Sequence, residues 1–149
     1  MAMMSGVARA TYDDVNLILR LYEMRREERM RDARKWFTGS FKAKSFDEFM
    51  TLCPPGSEAN ASYRMVVTYW EMVASFLTSG VLNNELFYQS GRELLFVWER
   101  VRDILPVLRE KYGHTRELRN LEEAAIAYIS WWNHTAPGAY DAFSKRVRG

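Results

Sequence analysis

Few residues in this sequence could support metal chemistry. Its two histidines, His114 and His134, follow Lys111 and Trp131 at a distance of three residues. Carboxylate-bridged metal sites in helical bundles use a glutamate at that position, because Glu-x-x-His places both ligands on one helix face. The sequence therefore predicts no metal site, and we expect no other bound cofactor.

Nucleophilic chemistry has equally little support. The single thiol, Cys53, precedes two prolines in a predicted loop, and no histidine is marked as its partner. Ser130, His134 and Asp141 can be combined into a triad on paper, but any chain of this length offers such sets. A lone cysteine also excludes an internal disulfide, which is typical of a reducing compartment. Of the three functions considered for this chain, an enzyme of unknown type is therefore the least favoured, after an interaction domain and a binder of nucleic acid or an anionic surface.

One carboxylate needs a partner if the predicted helices pack together. Glu71 borders the apolar stripe of the third predicted helix, and a part-buried carboxylate must be paired or hydrogen-bonded. Arg26 and Arg29 are predicted on the apolar face of the first helix, and Arg109 at the edge of the fourth. We expect Glu71 to pair with one of these arginines and fix the register of the helices, and a catalytic or ligand role is the alternative.

A basic segment runs from Arg25 to Lys44, where eight basic residues outnumber three acids and give a net charge of +5 in a chain whose total is +2. We call this cluster of cations the basic pole, and the candidates are Arg25, Arg31, Arg34, Lys35, Lys42 and Lys44. Interleaved aromatic residues would allow contacts to phosphates with stacking of bases. However, the acids lie at spacings that form intrahelical pairs, which favours a solvated helix face. Binding of nucleic acid or an anionic surface is the alternative function.

The elements that must position these residues are all helical. The chain has 149 residues, of which 48% are hydrophobic, and this suits one domain spanning residues 1–149. Helical periodicity and capping residues predict an all-α bundle of five to six helices with the third helix at its centre. The predicted helices cover about residues 12–37, 45–52, 58–79, 84–112 with a kink at Pro106, 115–132, and a short one from Pro137 that Tyr140 and Phe143 dock onto the core. The predicted N-caps include Thr11, Ser45 in a capping box with Glu48, and Asn83 or Asn84.

Apolar positions fall on two sides of two of these helices. In the first, Val15, Ile18, Leu19 and Tyr22 are predicted to face the core. The residues predicted to form an interaction surface are Leu17, Leu21 and Met24 of the first helix, the second stripe of the third helix (Met65, Tyr69, Met72 and Phe76), and Trp131. Such a surface favours self-association or another protein partner.

No apolar run approaches the 18 residues of a membrane span, so none is predicted. The segment Met1–Ala10 lacks the apolar stretch of a secretory signal. We therefore expect a cytoplasmic protein.

The segment Tyr69–Ala74, with Glu at its third position, is followed by Gly80–Asn83 and Leu86. This arrangement resembles a bacterial family of helical proteins of unassigned function. That family combines an aromatic-Glu-x-apolar-Ala helix, a Gly-apolar-apolar turn, and a second helix bearing an aromatic residue and an arginine, which Trp98 and Arg109 match here. The resemblance covers under a third of the chain and implies a helical hairpin. It implies no activity, because the family has none established.

Together these observations favour a non-enzymatic helical interaction or scaffold domain that self-associates.

Overall fold

The computed structural model describes residues 9–149, and within them it contains α-helices and turns but no strand. The predicted all-α fold is confirmed. The described residues form nine helices: α1 (Tyr12–Arg25), α2 (Glu28–Ser40), α3 (Phe46–Leu52), α4 (Glu58–Thr78), α5 (Asn84–Tyr88), α6 (Glu93–Val101), α7 (Leu105–Tyr112), α8 (Arg119–Thr135) and α9 (Ala139–Arg148). Residues 1–8, on which the expectation about a secretory signal mainly rests, lie outside the described residues.

Several helix ends are set by local capping chemistry that is visible in the sequence. Thr11 and Asp14 form a reciprocal capping box at the start of α1. Ser45 caps α3 as predicted, although Glu48 accepts a hydrogen bond from the Lys44 amide rather than from Ser45. Gly80 adopts a φ of +81° just after α4, a backbone conformation that other residues rarely adopt.

The first predicted helix is two helices, because the chain breaks at Arg26 and Glu27. The Glu27 carboxylate accepts a hydrogen bond from the Met30 amide at 3.1 Å and so starts α2 as a new helix. A break changes the phase between the two segments. The expectation that one continuous face would be buried from residue 12 to residue 37 is therefore wrong for α1.

The fourth predicted helix is divided into α5, α6 and α7. Pro106 lies in the first turn of α7, where its missing N–H removes no hydrogen bond, so the chain restarts a helix instead of kinking one. α8 begins at Arg119 rather than Thr115, because Leu118 adopts a left-handed conformation with φ of +55°.

Helix α4 occupies the centre of the bundle, as predicted. It packs against α2, α6 and α8, and Trp70, Val73 and Ala74 are almost completely buried. Tyr140 and Phe143 dock α9 onto the same continuous core. Among the helices of residues 9–149, none combines the length and apolar character needed to cross a bilayer.

Candidate functional site

Within residues 9–149, exposed large apolar side chains are concentrated on the outer face of α1. Tyr12, Val15, Leu19 and Tyr22 are all exposed, with Tyr12 79% and Leu19 57% accessible. Their spacing of three, seven and ten residues places them along one side of the helix. We call these four residues the α1 outer stripe. Three of them were predicted to face the core, so that orientation of α1 is wrong.

The inward face of α1 is chosen by polar contacts far away in the sequence. Asp14 accepts a hydrogen bond from the Asn83 amide at 2.8 Å, ahead of α5. The Tyr69 hydroxyl donates to the Leu21 carbonyl at 2.6 Å. These contacts turn Asp14 and Leu21 towards the bundle, and the backbone amides of Asn83 and Thr11 lower the pKa of the Asp14 carboxyl. The outer stripe is exposed as a consequence.

The residues predicted as an interaction surface are distributed between core and solvent. Leu21 and Tyr69 are buried within one chain, so the prediction is wrong for these two. Leu17, Met72, Phe76 and Trp131 are half-buried against the core, and only Met24 and Met65 are well exposed. Burial also raises the pKa of Tyr69 to about 12, so this hydroxyl remains a hydrogen-bond donor at neutral pH.

Glu71 contacts the start of a helix rather than an arginine. Its carboxylate accepts hydrogen bonds from the Leu121 amide at 2.8 Å, the Asn120 amide at 3.2 Å and the Asn120 side chain at 2.9 Å. Leu118, the residue before α8, has no side chain that can cap it. Glu71 therefore caps α8 from α4, and its negative charge suits the positive end of the helix dipole. The predicted pairing with Arg26, Arg29 or Arg109 is wrong.

The three arginines have other environments. Arg109 forms an ion pair with Glu122 at 2.8 Å and also donates to the Glu117 carbonyl, which ties α7 to the start of α8. Arg26 and Arg29 are exposed, and the Arg26 guanidinium lies 5.6 Å from the centre of the Tyr22 ring. The break after α1 moves both residues away from the core.

Two members of the basic pole share one carboxylate inside the fold. Arg34 makes a bidentate contact with Glu93, with donor–acceptor distances of 2.8 and 2.7 Å, and this contact raises the pKa of Arg34. Arg25 lies 3.7 Å from the same carboxylate, which also accepts from the Trp70 indole at 3.3 Å. The remaining members Arg31, Lys35, Lys42 and Lys44 are exposed and form no ion pair within residues 9–149.

A second buried carboxylate joins α9 to α6. The side chain of Glu99 is fully buried and accepts hydrogen bonds from the Tyr140 hydroxyl and from Ser144 at 2.9 Å, with Arg148 at 3.5 Å. Burial, together with the Glu99 carboxylate, raises the pKa of Tyr140 well above its ordinary value. The Glu99 carboxylate is thus occupied by hydrogen-bond donors from α9. We therefore interpret this cluster as a contact that stabilises the fold rather than as a reactive site.

Sequence reasoning missed the charged residues of α6. Glu93, Glu99 and Arg100 lie in or beside the apolar run from Leu94 to Trp98. Arg100 donates to the carbonyl groups of residues 37, 41 and 147, at 3.3, 2.7 and 3.0 Å. A charged residue beside a buried apolar run needs a buried partner. The charges flanking the apolar run of α6 could therefore have predicted buried polar contacts at this helix.

The residues considered for catalysis are not assembled into a site. Ser130, His134 and Asp141 are exposed and form no hydrogen bond with one another in the described contacts. Cys53 is buried, and burial raises the pKa of its thiol to about 11, which keeps it protonated and unreactive. Within residues 9–149, no group of three or more His, Cys, Asp or Glu side chains could hold a metal ion.

Aromatic residues surround an open cleft between the turn after α5 and the outer part of α8. Trp131 and Trp132 line it together with Tyr88 and Tyr128, and Arg92 lies at its edge. The sequence marked Trp131 as a contact residue, but it gave no sign that these rings come together.

Comparison with known protein families shows a match over residues 10–135, to the family described as "Domain of unknown function (DUF4760)". A search of curated proteins and a search of solved structures each found no match.

Proposed function

Because the chain belongs to the DUF4760 family, which carries no assigned activity, we propose from its geometry that it is a non-enzymatic interaction domain that self-associates. The observation that carries this proposal is the α1 outer stripe. Four large, exposed side chains of apolar or aromatic type share one helix face, and clustered apolar surfaces mark interaction sites more often than scattered residues do.

We propose a second copy of the chain as the partner, because the charges along α1 are self-complementary. Of the charged residues at its two ends, Asp13 in the first turn and Arg26 directly after the last turn are exposed. Two copies related by a two-fold axis near Leu19 would run antiparallel, so that the acidic start of each helix meets the basic end of the other. The helix dipoles would favour the same arrangement. The apolar stripes would then be buried against each other.

A matched pair of substitutions tests this proposal. Leu19 and Ile126 are 57% and 58% exposed, but Ile126 lies on α8, away from the stripe. In light scattering, the unchanged protein should have a mass of about twice 17.5 kDa. Leu19→Lys should shift the mass to that of the monomer, whereas Ile126→Lys should not.

Two results would contradict the proposal. A monomeric mass for the unchanged protein at its highest soluble concentration would exclude the dimer. A dimer that survives Leu19→Lys would show that another surface holds the copies together. Circular dichroism should report the same helix content for both variants, because neither side chain belongs to the core.

Binding of nucleic acid through the basic pole stays the second candidate. The supporting observation is that Arg31 and Lys35 are exposed one helical turn apart on α2, with no acid paired to either in the described part of the chain. However, Arg25 and Arg34 both pair with Glu93, which offsets one of their two charges, so the pole offers fewer free cations than its sequence suggests. Fewer phosphate contacts mean weaker binding.

A further inference from the structure

The aromatic cleft between α5 and α8 has room for one aromatic ring. It is open to solvent and has a volume of about 140 Å³, comparable to a cavity of about 150 Å³ that binds benzene. The walls are Tyr88 from the end of α5 and Tyr128, Trp131 and Trp132 from α8. Pockets for small molecules are lined mainly by aromatic and apolar side chains, with a few polar groups that orient the ligand.

The walls are held in place before any ligand arrives. The rings of Tyr88 and Tyr128 stack with centroids 4.2 Å apart, and Trp131 lies 5.1 Å from Tyr88. The Tyr128 hydroxyl donates to the Tyr88 carbonyl at 2.6 Å. Trp132 packs against Phe143 of α9 at 5.4 Å. Fixed walls lower the entropy lost on binding.

The polar character of the cleft comes from Arg92. Its guanidinium lies 4.8 Å from the centre of the Trp132 ring, and it forms no ion pair with any residue of the described range 9–149. No carboxylate lines the cleft, whose other polar members are Gln89 and Thr135. Stacking on an indole occupies one face of a guanidinium and leaves its N–H edge able to hold a carboxylate or phosphate through two hydrogen bonds.

We propose that this cleft binds a small planar aromatic anion. The ring of the ligand would lie against Trp131 and Trp132, which are half-buried, and its carboxylate or phosphate would contact Arg92. A cationic ligand is disfavoured because Arg92 would repel it, and a neutral aromatic ligand would leave the guanidinium without its partner. This site is separate from the α1 outer stripe, so it goes beyond the proposed self-association and does not depend on it.

The test is a titration with 1-naphthoate, followed through the indole N–H signals in two-dimensional NMR spectra. The chain has five tryptophans, and the signals of Trp131 and Trp132 can be assigned from Trp131→Phe and Trp132→Phe. Those two signals should move, whereas the signals of Trp36, Trp70 and Trp98 should not. The uncharged 1-naphthamide, which has the same rings, should bind about tenfold more weakly, since it cannot form the charge-assisted contact.

Replacement of the guanidinium gives an independent result. Arg92→Gln should weaken 1-naphthoate binding about tenfold and leave 1-naphthamide binding unchanged. Arg116→Gln removes the same charge at an exposed position outside the cleft and should change neither. Titration with 1-naphthyl phosphate shows which anionic group the cleft prefers. Tighter binding of 1-naphthyl phosphate than of 1-naphthoate would identify a phosphate ester as the ligand class, and weaker binding would identify a carboxylate.

Three outcomes would overturn the proposal. They are equal affinity for 1-naphthoate and 1-naphthamide, an unchanged affinity of the Arg92→Gln variant for 1-naphthoate, and a lack of movement of the Trp131 and Trp132 signals. The first and third use the unchanged protein, so they do not depend on the folding of a variant.

Discussion

The capping of α8 by Glu71 makes a quantitative prediction about stability. The carboxylate accepts three hydrogen bonds from Asn120 and Leu121, and the N-cap residue Leu118 makes no side-chain cap of its own. A hydrogen bond to a charged group is worth about 1.5–3 kcal/mol, and an acid at a helix N-terminus about 0.3–1 kcal/mol. Because the three bonds share one carboxylate, these values do not simply add. We expect Glu71→Ala to lower the free energy of unfolding by about 2–3 kcal/mol.

Glu71→Gln separates the hydrogen bonds from the charge. The amide keeps one acceptor oxygen for the α8 amides but loses the attraction to the helix dipole, so we expect a loss of about 1 kcal/mol. Glu123→Ala is the matched control on α8, where Glu123 pairs with Arg119 and both side chains are nearly half exposed. An exposed pair of this kind contributes about 0.3–0.5 kcal/mol, so the control should change stability little.

Urea denaturation followed by circular dichroism measures these differences, and hydrogen exchange locates them. In Glu71→Ala, the amides of Asn120 and Leu121 should exchange faster than in the unchanged protein, since their acceptor is gone. A loss of stability within about 0.5 kcal/mol for Glu71→Ala would refute the capping role. A loss equal to that of the Glu123→Ala control would have the same meaning.

Two further predictions concern acid stability and the basic pole. The pKa of Asp14 is lowered in the folded protein by the Asn83 and Thr11 amides, so its stabilising effect is complete above the ordinary aspartate pKa and is lost as the pH falls through the lower, folded value. We therefore expect unfolding measured against pH to show a larger loss of stability in acid for the unchanged protein than for Asp14→Asn, and parallel curves would contradict this. If the basic pole binds nucleic acid, replacing Arg31 and Lys35 together by Gln should weaken binding to a DNA duplex and make it less dependent on salt. Fluorescence anisotropy at about 50 mM salt measures this binding. If the unchanged protein does not bind the duplex under these conditions, the function is excluded.

Local patterns in the sequence determined the fold class and much of the helical framework. Helical periodicity and the capping residues Thr11, Ser45 and either Asn83 or Asn84 predicted α-helices and several of their first residues. The structure confirms these helix starts, with Asn83 as the third cap. The apolar run of α4 predicted a central helix, and Tyr140 and Phe143 predicted the docking of α9. These features follow from interactions within a few residues, so one sequence is enough to see them.

Only the tertiary structure decided which surfaces and partners the helices present. α1 has apolar residues on two sides, and its inward face depends on contacts of Asp14 and Leu21 with residues 83 and 69. The sequence offered several arginines as partners for Glu71, but its carboxylate accepts hydrogen bonds from the first turn of α8 instead. Periodicity can identify an amphipathic helix, but when two faces are apolar the choice between them belongs to contacts between residues distant in sequence. The same reason explains why the aromatic cleft, built from α5 and α8, is invisible in the sequence.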